Sequence, residues 1–247
     1  PPPPPTPIFF LMIRRPPRSK RKESSASSDV YKRQYADHVA RLLGATKGKS
    51  RKCLVLDLDN TIWGGVIGDD GLDGIALGEG DPTGEAFLDV QRAALQLRSM
   101  GIILAVCSKN EDSTARLPFR KHPDMLIAES DIAVFQANWT DKATNLEKIA
   151  EALEIGVDAL VLMDDNPAER AQVRAALPDV AVPELPDDPA MYARTLLAAG
   201  YFEAVSLSAE DLLRADDYTS RAKRIELQGA ARDLGSYLTS LEMEIVF

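Results

Sequence analysis

The sequence predicts an α/β fold: a doubly wound parallel sheet without a large cap, with additional helices toward the C-terminus. Three observations predict it. The apolar runs CLVL (53–56), IILAVC (102–107) and ALVLM (159–163) are continuous rather than alternating, as parallel strands covered by helices on both faces require. Helical segments separate the runs, which implies right-handed crossovers between neighbouring strands. Each run also ends in polar residues, and ligands of open α/β sheets bind at the carboxyl ends of the strands.

In chain order, residues 1–34 offer polyproline, then a basic run, then Ser-rich sequence, with no periodicity to build on. The segment also resembles translated sequencing-adapter read-through. It is expected to be disordered or artefactual, the other reading being a basic targeting arm. Residues 35–50 read as the end of a helix (YADHVARLL) and a linker. The linker's GATKGKS is not a phosphate-binding loop: only three residues separate Gly44 from Gly48, and it follows a helix and precedes a strand.

The repeating unit begins at residue 51. Strand 53–57 leads through a Gly-rich loop to a helix at about 82–99. Strand 102–107 is followed by a helical turn near 111–117, an apolar segment at 132–135 and a helix at about 141–154. Strand 159–163 precedes a helix at 167–176 and a short strand at 180–182. DDPAMYARTLLAAG reads as a helix closed by Gly200. The expected catalytic domain is 51–200. Residues 201–247 are expected to be a helical connector, with Ser208 as an N-cap. EMEIVF (242–247) reads as the start of a strand, so a further domain is expected to follow.

Composition narrows the function. The formal net charge is −9 over 247 residues, but residues 1–34 carry eight basic and two acidic residues, so the remainder holds 21 basic against 36 acidic. A body that acidic is a poor binder of phosphate backbones, and no nucleic-acid partner is expected. No run reaches the length of a membrane span. IFFLMI is short, and its basic flank follows it, the wrong order for a secretory signal. Cys53 and Cys107 sit in apolar runs, which suits a reducing compartment. The expected location is cytoplasmic.

The strand ends carry the chemistry. They read Asp57-Leu58-Asp59-Asn60-Thr61, Ser108-Lys109-Asn110 and Asp164-Asp165-Asn166. Any one could be a turn or a cap. Together they place four carboxylates near one rim, where they repel unless a cation sits among them, and oxygen-only ligands suit Mg²⁺. Alternation puts Asp57 and Asp59 on one side of extended chain. Asp57 would then be the ionised nucleophile toward phosphorus, and Asp59 the acid and base. Lys142, in the first turn of a helix capped by Thr140, would neutralise phosphoryl charge. Ser108 and adjacent backbone N–H groups would grip phosphate oxygens, with Thr61, Lys109 and Asn110 expected at the same phosphate.

These residues resemble the motifs of the haloacid dehalogenase-like superfamily: the DxDxT run at Asp57, Asp59 and Thr61, then Ser108, then Lys142, then the Asp164-Asp165 pair. A narrower resemblance covers most of 51–247. VLDLDNTIWGGVIGDDGLDGI, CSKNEDS, KHPDM, NWTDKATNL, LMDDNPAER and LPDVAVPELPDDPAMYARTL look like FkbH-type proteins. That resemblance implies a Rossmann-like core and Mg²⁺ held by Asp57, the Asp59 backbone carbonyl, and Asp164 or Asp165, with Asp164 preferred. It further implies removal of phosphate from 1,3-bisphosphoglycerate and delivery of a glyceryl unit to an acyl carrier protein in polyketide-type biosynthesis.

The alternatives are a generic phosphatase on a small phosphate ester, a phospho-aspartate signalling module, and an interaction domain whose chemistry has decayed. Receiver modules place their acidic pair before the acceptor Asp, the reverse of the order here. The absence of a large insert predicts an open site, with Trp63 and GGVIGDDG overhanging it or forming a plain hairpin. Asp69, Asp70 and Asp73 are expected to be turn formers, and His38 and His122 surface residues. Cys107 is expected to be buried, a thioester role being the alternative. Arg116, Arg120 and Lys121 are either a solvated helix end or a docking patch for an acidic carrier protein.

Overall fold

The computed structural model describes residues 25–48, 50–204 and 213–221. Compactness divides the chain after Ala40. The first unit contributes the start of helix α1 (Ser25–Thr46), whose residues from 30 to 38 are exposed. This helix begins inside the segment that composition left without structure. Residues 25–34 thus belong to the helix whose end was read at 35–43.

Among the described residues the second unit holds four parallel strands: β1 (Cys53–Leu56), β2 (Ile103–Ser108), β3 (Ile132–Ala137) and β4 (Leu160–Met163), in the order β3-β2-β1-β4. All four residues of β1 and of β4 are buried, as are all six of β2. Alternate strand residues serve opposite layers. Leu54, Leu56, Leu104, Val106, Val161 and Met163 join one core; Cys53, Val55, Ile103, Ala105, Leu160 and Leu162 join the other. A continuous apolar strand is therefore two half-strands facing two helix layers, each fully buried aliphatic side chain contributing about 1.5–3 kcal/mol.

On the first face, helix α3 (Pro82–Ser99) brings Phe87, Leu88, Val90, Ala94 and Leu97 to the core. It starts at the expected residue 82: Asp81 caps it by accepting from the Gly84 N–H at 2.9 Å, and Pro82 takes the first helical position. Its buried Gln91 donates to the Ile62 carbonyl and accepts from the Leu126 N–H, tying two loops to the helix. Helix α8 (Tyr192–Ala198) adds Tyr192 and Leu196 to the same face.

The opposite face is covered by α6 (Lys142–Ala152), through Leu146, Ile149 and Ala150, and by α7 (Pro167–Ala176), through Val173. The α/β class and the doubly wound arrangement expected from sequence are what the chain forms. The expected strand at 180–182 is a single parallel bridge, Val161 to Ala181. Residues 213–221 are helical; Ser208 and the expected strand at EMEIVF lie outside the described residues.

Two features position the site. The chain runs from β1 outward to β2 and β3 and then returns to place β4 on the other side of β1, so the sheet's topological switch point lies between β1 and β4. The segment between β1 and α3 contains the short helix α2 (Ile67–Asp70) and two isolated bridges, parallel Asp59 to Trp63 and antiparallel Gly64 to Ala76. Asp70 accepts from the Val66 N–H at 2.7 Å, the turn-forming role expected of it. Asn60 turns the chain just past the strand with φ of 53°, a left-handed conformation that asparagine tolerates. Its side chain accepts from the Gly65 N–H at 2.8 Å.

Candidate functional site

Strand β1 delivers Asp57 to the carboxyl rim, its N–H donating to the Met163 carbonyl of β4 at 2.9 Å. Strand β4 delivers Asp164 and Asp165 to the same rim. One carboxylate oxygen from each of these three residues lies within 4.8 Å of the others, an arrangement able to hold a metal ion. Asp164 is fully buried and Asp57 is 7% exposed.

Lys142 reaches this group from the start of α6 and is itself only 2% exposed. Its Nζ lies 2.6 Å from Asp164 Oδ2, 3.1 Å from Asp57 Oδ2 and 2.6 Å from Glu169 Oε2. Burial pulls the ammonium's pKa down, but Asp57, Asp164 and Glu169 outweigh it and hold Lys142 above the ordinary lysine value. The capping residue is Asp141, not Thr140: its carboxylate accepts from the Thr144 N–H at 2.9 Å and from the Thr144 hydroxyl at 2.7 Å. Two adjacent residues could cap this helix, and the one with two reachable donors does.

Burial pushes the Asp57 carboxyl up to about 7; Lys142 and the Leu58 N–H pull it down, and the neighbouring Asp164 adds to the rise. Burial and Asp164 likewise raise Asp165. Four carboxylates, on Asp57, Asp164, Asp165 and Glu169, face two ammonium groups, on Lys142 and Lys109. With all four ionised the acids exceed the ammonium groups by two charges, on oxygen donors alone, which fits a hard divalent cation.

A second cluster adjoins the first. Asp59 accepts from the Trp63 indole N–H (3.0 Å) and the Ile67 N–H (3.0 Å) on Oδ1, and from the Asn110 amide (2.8 Å) on Oδ2. Asn110 also donates to the Ser108 hydroxyl at 3.3 Å, linking the ends of β1 and β2. Trp63 does not overhang the site. It is fully buried, edge-on to Phe119 with centroids 5.9 Å apart, and its only polar atom is bonded to Asp59.

The remaining residues expected at the phosphate have partners within the protein. The buried Thr61 hydroxyl accepts from the Asp165 N–H at 3.2 Å, lies 3.5 Å from Asp165 Oδ1, and so braces an acid. Lys109 pairs with Glu169 at 2.8 Å. Asn110 serves Asp59. Ser108 remains at the rim beside β1, 2% exposed.

Sequence reasoning missed Glu169 and Arg170. Glu169 falls three residues after the N-cap Asn166, the spacing of a local helix cap, which hides its role. Instead it bridges Lys142 and Lys109. Arg170 sits in the first turn of α7, 3% exposed, beneath the two acids. Cys107 is buried as expected, and burial pushes its thiol up to about 12, which leaves no reactive thiolate near neutral pH. The basic patch is largely neutralised: Arg116 pairs with Asp112 and Glu129, and Arg120 with Glu129. His122 accepts from the Asp124 N–H in a turn. Among the described residues no helix is long and apolar enough to cross a membrane.

No family model matches the chain, and no curated protein matches it. Among solved structures, the chain is similar to the N-terminal part of the protein BF1531 from Bacteroides fragilis, which contains a phosphatase domain and was crystallised in complex with Mg. The two are 47% identical with a TM-score of 0.69, over 70% of this chain and 46% of that one. The chain thus spans about half the length of the structure it matches.

Proposed function

We propose that this chain is a Mg²⁺-dependent phosphoryl-transfer enzyme of the haloacid dehalogenase-like kind. The observation that carries the reading is the convergence of Asp57, Asp164 and Asp165 on one point at the switch of the sheet, with the Lys142 ammonium among them. Likeness to a Mg-bound phosphatase-domain structure at 47% identity supports it.

Asp57, Asp164 and Asp165 would hold the ion, which when bound supplies positive charge to balance the acids and the phosphoryl oxygens. The chain's own residues do the rest. A carboxylate oxygen of Asp57 attacks phosphorus as the bond to the leaving oxygen breaks. Lys142 and the Ser108 hydroxyl hold the phosphoryl oxygens in line. Asp59, entering the cycle protonated, exchanges one of its N–H contacts for the leaving oxygen and gives it that proton. It then takes a proton from the water that attacks the aspartyl phosphate, and phosphate leaves with Asp57 restored.

The finer reading rests on the FkbH-type sequence resemblance: the phosphorylated three-carbon substrate is 1,3-bisphosphoglycerate, and the glyceryl unit passes to an acyl carrier protein in the cytoplasm. The small segment between β1 and α3, carrying no inserted domain, supports access by a macromolecular acceptor. Neutralised Arg116 and Arg120 give no reason to place carrier docking on that segment. Hydrolysis of a small phosphate ester is the coarser form of the same chemistry.

The test is phosphate release from 1,3-bisphosphoglycerate with Mg²⁺ or with EDTA, compared between wild type and Asp57→Asn, followed by mass analysis of an added carrier protein. Release that needs both Mg²⁺ and Asp57 supports phosphoryl transfer, and a glyceryl mass increment on the carrier supports loading. Equal release by Asp57→Asn refutes the nucleophile assignment.

A further inference from the structure

We propose that Arg170 is a positioning residue for the acids at the end of β4: its guanidinium fixes the Asp164–Asp165 backbone so that both carboxylates address one cation. The proposal rests on reading Asp57, Asp164 and Asp165 as a divalent-cation site.

Arg170 Nη1 donates to two successive backbone carbonyls, those of Asp164 at 2.8 Å and Asp165 at 2.6 Å. Its Nη2 donates to Glu184 at 2.7 Å, which anchors the other end of the fork. A cation in the first turn of a helix opposes the helix dipole, so helix stability does not account for arginine here. A buried guanidinium needs compensating partners, and beside Glu184 these are the peptide groups of the two residues that carry the acids.

The choice of carbonyls matters. Two adjacent carboxylates repel one another, and a free chain would relieve this by rotating the peptides between them. One nitrogen bonded to both carbonyls opposes that rotation. It does so without taking a carboxylate oxygen: Asp164 is left to Lys142 and the Asn166 N–H, and Asp165 to Thr61. Lysine could supply the charge but not a planar fork spanning the carbonyls and Glu184 together. Arg174, one turn further along α7, supplies an internal control: it pairs with the same Glu184 and with the Val182 carbonyl.

The experiment is Mn²⁺ titration of the full chain followed by electron paramagnetic resonance, for wild type, R170K, R170M, R174M and E184Q. Partners that orient metal ligands typically carry 10–100-fold in affinity. R170M and R170K are expected to bind Mn²⁺ at least about 10-fold more weakly, and E184Q by a smaller factor, with R174M within about twofold of wild type. Circular dichroism reports folding, and if R170M is unfolded, R170K and E184Q decide the outcome. Wild-type affinity in both Arg170 variants, or an equal loss in R174M, overturns the positioning role alone. Absence of Mn²⁺ binding by wild type overturns the cation site and this proposal with it.

Discussion

Asp57→Asn is expected to abolish turnover while stabilising the metal-free protein. The magnitude follows from the burial of Asp57. Its pKa is raised from 3.8 to about 7, so the folded state binds that proton more tightly than the unfolded state does. The stability this confers is complete below pH 4, is lost as pH rises, and is gone above 7. Asparagine mimics the neutral carboxyl and suffers no such loss. The stability difference between variant and wild type should therefore grow between pH 4 and 7 and level off at roughly 4 kcal/mol, at 1.36 kcal/mol per unit. For a domain of this size that is on the order of 10 °C in Tm. Mg²⁺ at a hundredfold excess over Kd adds about 2.7 kcal/mol to wild type and less to the variant, narrowing the gap. Urea denaturation followed by circular dichroism, at pH 4, 6 and 8 with EDTA or Mg²⁺, measures every quantity. A gap that is absent at pH 8 in EDTA, or that shrinks as pH rises, would refute the reasoning.

Lys142→Met should cost at least about 3 kcal/mol in the metal-free protein, because three carboxylates lose the ammonium they share; the same urea titration reads it, and phosphate release should fall below detection. Trp63→Phe keeps the ring against Phe119 and removes only the N–H bonded to Asp59. It should cost about 1 kcal/mol of stability. It should also lower kcat severalfold for alkyl phosphates, whose leaving oxygen needs a proton, and much less for nitrophenyl phosphate; equal losses on both would separate Trp63 from Asp59's role. Leu146→Ala, at a fully buried α6 position, should destabilise by 2–5 kcal/mol with activity per folded molecule unchanged.

The sheet was legible because its strands are buried on both faces, so hydrophobicity alone marks Leu54, Leu104 and Val161. The rim was legible because polar residues stop each run, and the parallel order then puts all the stops at one edge. What escaped is what depends on side-chain reach across the fold. Glu169 looks like a cap residue, and its link to Lys142 exists only once α6 and α7 lie side by side. Trp63 in a Gly-rich loop could cover a site or fill a core, and only the location of Phe119 decides between them. Thr61 and Asn110 carry groups that suit phosphate, and their bonds to Asp165 and Asp59 depend on loop packing that spacing does not show. Helix α1 was obscured in nearly its first half, residues 25–34, by Ser-rich and basic composition, which carries no periodic apolar face.

The most direct test of the central claim is a crystal of this protein soaked in Mn²⁺ and measured at an anomalous wavelength. The account predicts one strong peak ligated by Asp57 and by the Asp164–Asp165 pair. A peak elsewhere, or bare density among those three carboxylates at saturating Mn²⁺, would contradict it.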